Sequence, residues 1–472
     1  MKRRDFLKTA AVASTATVVC GCDIFAKRYP KAPVLPDKPA LKTITIASTR
    51  CDFERRAMLR PFGFKGGYLS ELWNVHAALI SESGLYGVGE GVQSCLWSDA
   101  AVFSGNSEAG GNSIMFAMTQ YALKLAEGKS FKTPVELNDW LFPQVWEYGK
   151  KASSDPRLRA TFALNALVPV DNAAWVLYAR ENGFTSFDEM IPEEYRQCLS
   201  SRHSMCASIP LINYSVPIEE VVAAAQSGYF FLKIKIGQSG TQEEMLRKDC
   251  LRISEIHQAL KDMRTPHTLS GKLQYYFDAN GRYETRETFL KFVDHLESIG
   301  ALENTAIIEE PFDEYADINV SDIPVRLVSD ESAHTEEDAI KRIAMGYRAM
   351  ALKPIAKTMS MSMKIARAAF ERDIPCFCAD LTVNPVMVEW NKAIASRLSP
   401  FPGLGNLGLV ESNGDQNYSD WEEMRGDLPW PDAPWTRTRN GVFTLDEDYW
   451  ARSGGILEPL PRIETLLRIK EQ

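Results

Sequence analysis

Phe230-Phe231-Leu232-Lys233-Ile234-Lys235 is an apolar run that closes on two lysines, and the fold is read outward from it. Four more short runs end on a charge in the same way. They are Tyr275-Tyr276-Phe277-Asp278, Ala306-Ile307-Ile308-Glu309, Val325-Arg326-Leu327-Val328-Ser329-Asp330 and Ala349-Met350-Ala351-Leu352-Lys353. A buried strand ending in a lone charge is costly, because an ion taken out of water needs a counter-charge or a metal. Five in succession are reasonable if the strand ends converge on one site.

From Ile209 onward, eight strand candidates alternate with helical stretches: 209–214, 230–236, 275–280, 306–309, 325–330, 349–353, 375–380 and 406–411. Helical patterns between them cover Ile218–Gln226, Glu243–Leu260, Thr288–Ser298, Thr335–Met345, Met359–Glu371 and Pro385–Arg397. The charged ends at 235, 278, 309, 330, 353 and 380 are far enough apart for a strand, a helix and two loops, with an insertion near Arg264–Lys272. Eight βα units predict an α/β, TIM-like (β/α) barrel, whose sites form at the C-terminal ends of the strands. A doubly wound sheet is the alternative, but it would gather charges only near a switch point.

Asp278, Glu309 and Asp330 would then project into one space. Three carboxylates without a cation repel and raise one another's pKa. Oxygen ligands of this kind suit magnesium or manganese. Each acid alone could be a helix cap; three together, flanked by lysines, point to a metal site. Lys233 and Lys235 share a strand face, so Lys233 is expected to lower the proton affinity of Lys235 by like-charge repulsion. Lys235 then serves as a general base. Lys353 ends a strand across the site, where it could return a proton to the opposite face of a carbon acid. The plainer readings are a solvated edge strand for 233–235 and a snorkelling lysine at 353.

These segments together resemble the enolase superfamily. The residues that carry the resemblance are the K-x-K at 233–235, Asp278-Ala279-Asn280-Gly281, Ile308-Glu309-Glu310-Pro311, Ser329-Asp330-Glu331-Ser332 and Leu352-Lys353-Pro354. Within the superfamily they are similar to the branch of muconate-lactonising enzymes, o-succinylbenzoate synthases and dipeptide epimerases. Asp171-Asn172-Ala173-Ala174-Trp175 resembles the helix that leads into the barrel. The resemblance implies Asp278, Glu309 and Asp330 as metal ligands, Lys235 as base and Lys353 as opposing acid/base, with Lys233 and Asn280 supporting them. It implies removal of a proton α to a carboxylate, with an enediolate stabilised by the metal.

Two segments depart from the pattern. Ile355-Ala356-Lys357-Thr358-Met359 stands where a Gly-Gly is often found, and Leu409-Val410-Glu411-Ser412-Asn413-Gly414 lacks the D-x-D of dipeptide epimerases. Glu411 would take the place of that motif toward a substrate ammonium, while Asp380 either orients Lys353 or binds substrate. With two lysines present, racemisation or epimerisation of an amino-acid-like or dipeptide-like carboxylate is expected, although the missing D-x-D counts against dipeptides. β-Elimination or cycloisomerisation is the alternative, and a non-catalytic carboxylate-binding lipoprotein the third reading.

The texture before the barrel is strand and loop from Leu41 to Val92, then helical from Ser113 to Arg180. By resemblance, residues 41–165 form an α+β capping domain, 166–411 the barrel, and 412–472 a C-terminal segment packing back on the cap. Cys51–Tyr68, with Arg60, Phe62, Phe64 and Lys65, and Gly91–Trp97 are the loops expected to close over substrate.

Lys2-Arg3-Arg4-Asp5-Phe6-Leu7-Lys8, the uncharged stretch to Val19 and Val19-Cys20-Gly21-Cys22 resemble a twin-arginine export signal ending in a lipobox. The expectation is an exported, periplasmic protein, with lipid anchoring at Cys22 to the inner membrane as a further option and 23–40 as a proline-rich linker. The 472 residues carry a formal charge of −9 with no basic block, which argues against nucleic acid as a partner. A homo-oligomer acting on a small-molecule carboxylate is expected. Nine cysteines are present; those outside the signal are read mostly as buried, unpaired apolar residues.

Overall fold

A computed structural model describes residues 40–64 and 67–469. The export signal at 1–22, the linker up to residue 39 and Lys65 lie outside the described residues. The N-terminal part is an antiparallel sheet of β1 (Ile44–Phe64), β2 (Gly67–Ser81), β3 (Tyr86–Gln93) and β4 (Ser130–Phe131), in the order β3-β2-β1-β4. The described residues of the stretch 51–68, expected as a loop, instead continue strands β1 and β2, paired from Ile46↔Ser81 to Phe64↔Gly67 with a register shift between Ala57 and Phe62. Charged side chains along it are cross-strand partners. Arg55 donates to Glu71 at 2.9 Å, while Phe53 stacks on Trp73 with ring centroids 4.2 Å apart. Opposed pairs of this kind stabilise a hairpin. Phe62 pairs in the ladder with Leu69, and Arg60 is exposed.

Against this sheet lies the helix Ala160–Asn182, which ends at Gly183 in the left-handed conformation (φ 71°). By length and composition it could cross a bilayer, yet it is buried in the core. It spans residue 165, so the expected boundary between cap and barrel falls inside a helix. The approach to β3 is close enough to require glycine. A Cβ on Gly89 would lie 2.2 Å from Ala173 N and 2.3 Å from Pro169 O.

The second sheet runs β5 (Met205–Ile209), β6 (Leu211–Ile212), β7 (Phe231–Lys235), β8 (Gln274–Asp278), β9 (Thr305–Glu309), β10 (Leu327–Ser329), β11 (Ala349–Leu352), β12 (Cys376–Cys378) and β13 (Gly408–Glu411), with β14 (Val442–Thr444) added antiparallel to β5. The first strand, expected at 209–214, begins earlier and breaks at Pro210, which has no N–H to give to a ladder. Its two halves close the barrel: β5 pairs with β13, β6 pairs with β7, and Pro210 O accepts from Lys233 N. Helices follow the strands at Ile218–Gln226, Gln242–Leu260, Arg286–Ser298, Glu336–Ala344, Met359–Phe370 and Pro385–Ala395, close to the sequence pattern.

Alternation along β7 puts Phe231, Lys233 and Lys235 on one face. Phe231 is edge-on to Tyr276 and Phe401, and Phe377 meets both of those rings, so four aromatics fill the barrel below the lysines. The C-terminal segment contacts both parts. Arg56 meets Asp420 at 2.7 Å and Arg462 meets Glu54 at 2.8 Å on the capping hairpin, while β14 extends the barrel sheet. Among the described residues all seven cysteines are free, and five are buried.

Candidate active site

Parallel register brings the charged strand ends side by side. Lys235 pairs with Asp278 and Asp278 with Glu309, so adjacent strands present their charges to the same side of the sheet. Lys235, Asp278, Glu309, Asp330 and Lys353 all line one pocket, joined by Lys233, Asn280, Asp380 and Glu411. Leu69 from β2 and Ser94 and Trp97 from the segment after β3 complete the wall. The expected closing segment 91–97 thus reaches the pocket, as strand followed by the buried turn of helix Cys95–Ser98.

The acids separate into two groups. Glu309, Asp330 and Glu331 each bring an oxygen within 4.8 Å of the others, and all three are buried. Asp278 turns toward the lysines: its Oδ2 lies 2.6 Å from Lys235 Nζ and 3.1 Å from Lys233 Nζ. Burial opposes the Asp278 charge, but Lys233 and Lys235 outweigh it and hold its pKa below the usual carboxylate range. Glu309 moves the other way, raised by burial against the pull of Lys233. Its carboxylate also accepts from the Tyr276 hydroxyl.

Lys233 is not the bare like charge expected beside Lys235. Its ammonium lies 3.1 Å from Asp278, 3.4 Å from Glu309 and 3.0 Å from Glu411. Burial favours its neutral form, and these carboxylates more than reverse that, leaving its pKa well above the ordinary value. Glu411, expected to face a substrate ammonium, is engaged by Lys233 and by Asp380 N at 3.0 Å. Asp380 accepts from the backbone N–H groups of Leu381 (2.7 Å) and Asn413 (2.8 Å), so it organises the ends of β12 and β13. Burial and the neighbouring Glu411 push it up to about 7.

Asn280 sits at φ 45°, a strained setting for a residue with a side chain. Its Oδ1 accepts from Lys235 at 2.7 Å and its Nδ2 donates to Glu331 at 3.1 Å, which ties Lys235 to the acidic group. Lys353 forms an ion pair with Asp330 and lies 4.4 Å from the centroid of the Trp97 ring. Burial lowers its proton affinity, but Asp330 and Glu331 outweigh that and raise its pKa.

Hard oxygen donors gathered this tightly fit a divalent cation of the magnesium class. Asp330 Oδ1 receives no hydrogen bond and faces Lys357 Nζ at 3.1 Å. Three contributors went unassigned in the sequence. Glu331 stands beside Asp330 in a quoted motif, Trp97 ends a quoted loop, and Lys357 lies inside the segment noted as departing from Gly-Gly. Only their folded positions give them a place in or behind the pocket. Ser94 lies in the expected closing segment 91–97 without having been singled out, and Leu69 had no local signal at all.

No family profile matches this chain, and no curated protein matches it. Solved structures do. A member of the enolase superfamily from Listeria innocua Clip11262 is 19% identical, with 90% of this chain and 96% of that chain covered at a TM-score of 0.62. A dipeptide epimerase from Cytophaga hutchinsonii, complexed with Mg and the dipeptide D-Ala-L-Val, is 16% identical over 86% and 98% of the two chains, TM-score 0.58. An N-succinyl Arg/Lys racemase from Bacillus cereus ATCC 14579 is 16% identical over 79% and 89%, TM-score 0.57. This chain has the fold of the enolase superfamily, capping domain and barrel together.

Proposed function

We propose that the protein is a divalent-metal-dependent isomerase that removes and returns the proton α to a substrate carboxylate. The observation that carries this reading is the placement of Lys235 and Lys353. They end β7 and β11, four strands apart in the barrel sheet, and both line the pocket that holds the acids. A planar carbon bound between them would meet an amine on each face. Lys235 Nζ would take the α-proton on one face, and Lys353 Nζ would supply a proton to the other. Glu309, Asp330 and Glu331, with Asp278 beside them, would hold magnesium or manganese, whose charge would offset the negative charge that develops on the substrate carboxylate.

The structural neighbours that are a racemase and an epimerase support the class of reaction. Asn280 orients Lys235, and Leu69 and Trp97 exclude water from the pocket. A second reading, elimination or cycloisomerisation, is favoured by one feature. Lys353 is held as a cation by Asp330 and the Trp97 ring, a role that needs no proton transfer.

Incubation of the magnesium-loaded protein with N-acylated amino acids and dipeptides in D2O separates the two. Deuterium at the α-carbon with inversion supports the isomerase, and loss of water or ring closure supports the alternative. Absence of α-exchange across the panel, with Lys235→Ala binding the same carboxylates as the native protein, sinks the catalytic reading.

A further inference from the structure

Lys357 lies outside the pocket wall and is completely buried. It ends the short helix Pro354–Lys357 directly after Lys353, in the segment that departs from the glycine pair. Its Nζ donates to the main-chain oxygen of Asp330 at 2.6 Å and lies 3.1 Å from Asp330 Oδ1. The pocket-facing ammonium of Lys353 pairs with the other oxygen, Oδ2. Asp330 is thus gripped from two sides, and only Lys353 shares the pocket with substrate. The backbone enforces this grip. Thr358, next in the chain, adopts φ 69° and caps the following helix through Met361 N at 3.1 Å. That kink, unusual for a residue with a Cβ, turns the chain after Lys357 into the next helix.

We propose that Lys357 is a positioning residue for Asp330, fixing that carboxylate for cation binding from behind, in the manner of outer hydrogen-bond partners of metal ligands. The inference rests on the proposed metal centre. A buried ammonium held on a ligand's main chain and carboxylate leaves that carboxylate one orientation toward Glu309 and Glu331. Without it, Asp330 must lose rotational freedom each time the cation binds.

The test is calorimetric titration of native protein, Lys357→Met and Lys357→Gln with Mg2+ alone, with the metal-free melting temperature of each recorded. Lys357→Met is expected to weaken Mg2+ binding by about ten- to hundredfold. Lys357→Gln keeps a neutral N–H donor and is expected to lose less, but more than threefold. A purely structural lysine would move the melting temperature and leave the affinity of the folded protein alone. Should Lys357→Met fail to fold, Lys357→Gln decides by the same threshold. Folded variants that bind Mg2+ within threefold of native, or more tightly, overturn the proposal and spare the metal centre. Native protein that binds no Mg2+ overturns the metal centre itself, and this inference with it.

Discussion

Asp171 accepts two hydrogen bonds from Ser360, one from its hydroxyl at 2.5 Å and one from its backbone N–H at 3.0 Å. This joins the helix packed on the capping sheet to the segment that follows Lys353 and Lys357. Burial pushes the Asp171 carboxyl from 3.8 up to about 7, against the lowering effect of those bonds. A folded-state pKa above the unfolded one adds stability that is full below pH 3.8 and lost as pH rises through 7. Between pH 5 and pH 8 the loss from this group is on the order of 2–3 kcal/mol. Urea unfolding at the two pH values should show that loss in the native protein and a smaller one in Asp171→Asn. Equal losses would remove Asp171 as the cause.

The contact between β3 and the helix Ala160–Asn182 tolerates no side chain at Gly89, where a Cβ would fall 2.2 Å from Ala173 N. Backbone cannot yield as a flexible side chain can. Gly89→Ala should cost about 3 kcal/mol or more, read as a lowered denaturation midpoint. A variant as stable as the native protein would show that strand and helix stand farther apart.

Loss of the Lys235 ammonium removes the group proposed to take the α-proton and leaves Lys233 as the one lysine beside Asp278. Lys235→Met should lower α-proton exchange by about 10²–10⁴, followed by mass spectrometry in D2O. Exchange at the native rate would transfer the base to another residue.

Chelation should abolish turnover, and added Mg2+ should restore it. Because the proposed cation would bind only the folded cluster, the protein should gain about 2.7 kcal/mol of stability at a metal concentration a hundredfold above Kd. Thermal unfolding against Mg2+ concentration measures this gain, and Glu309→Gln should lack it. An equal gain in that variant would place the cation away from Glu309.

The barrel was legible because each of its strands and helices carries its own periodicity: Phe231 to Lys235 alternates, and Ile218–Gln226 appears as a helix with the expected ends. The hairpin arm was not. Arg55 and Phe53 look like loop residues until β2 supplies Glu71 and Trp73 across the ladder. Pro210 likewise splits a strand whose halves have different partners, and pairing is not written in the segment itself.

By itself the sequence determined which charges stand at strand ends, and in what order around the barrel, because strand length and alternation are local properties. The tertiary structure alone decided what those charges meet. Asp278 is turned to the lysines, Glu331 joins Glu309 and Asp330, and Lys233 pairs with Glu411 across the closure of the barrel. Ion pairing depends on distances of a few ångströms between residues far apart in the chain, and only the closed barrel brings them that near.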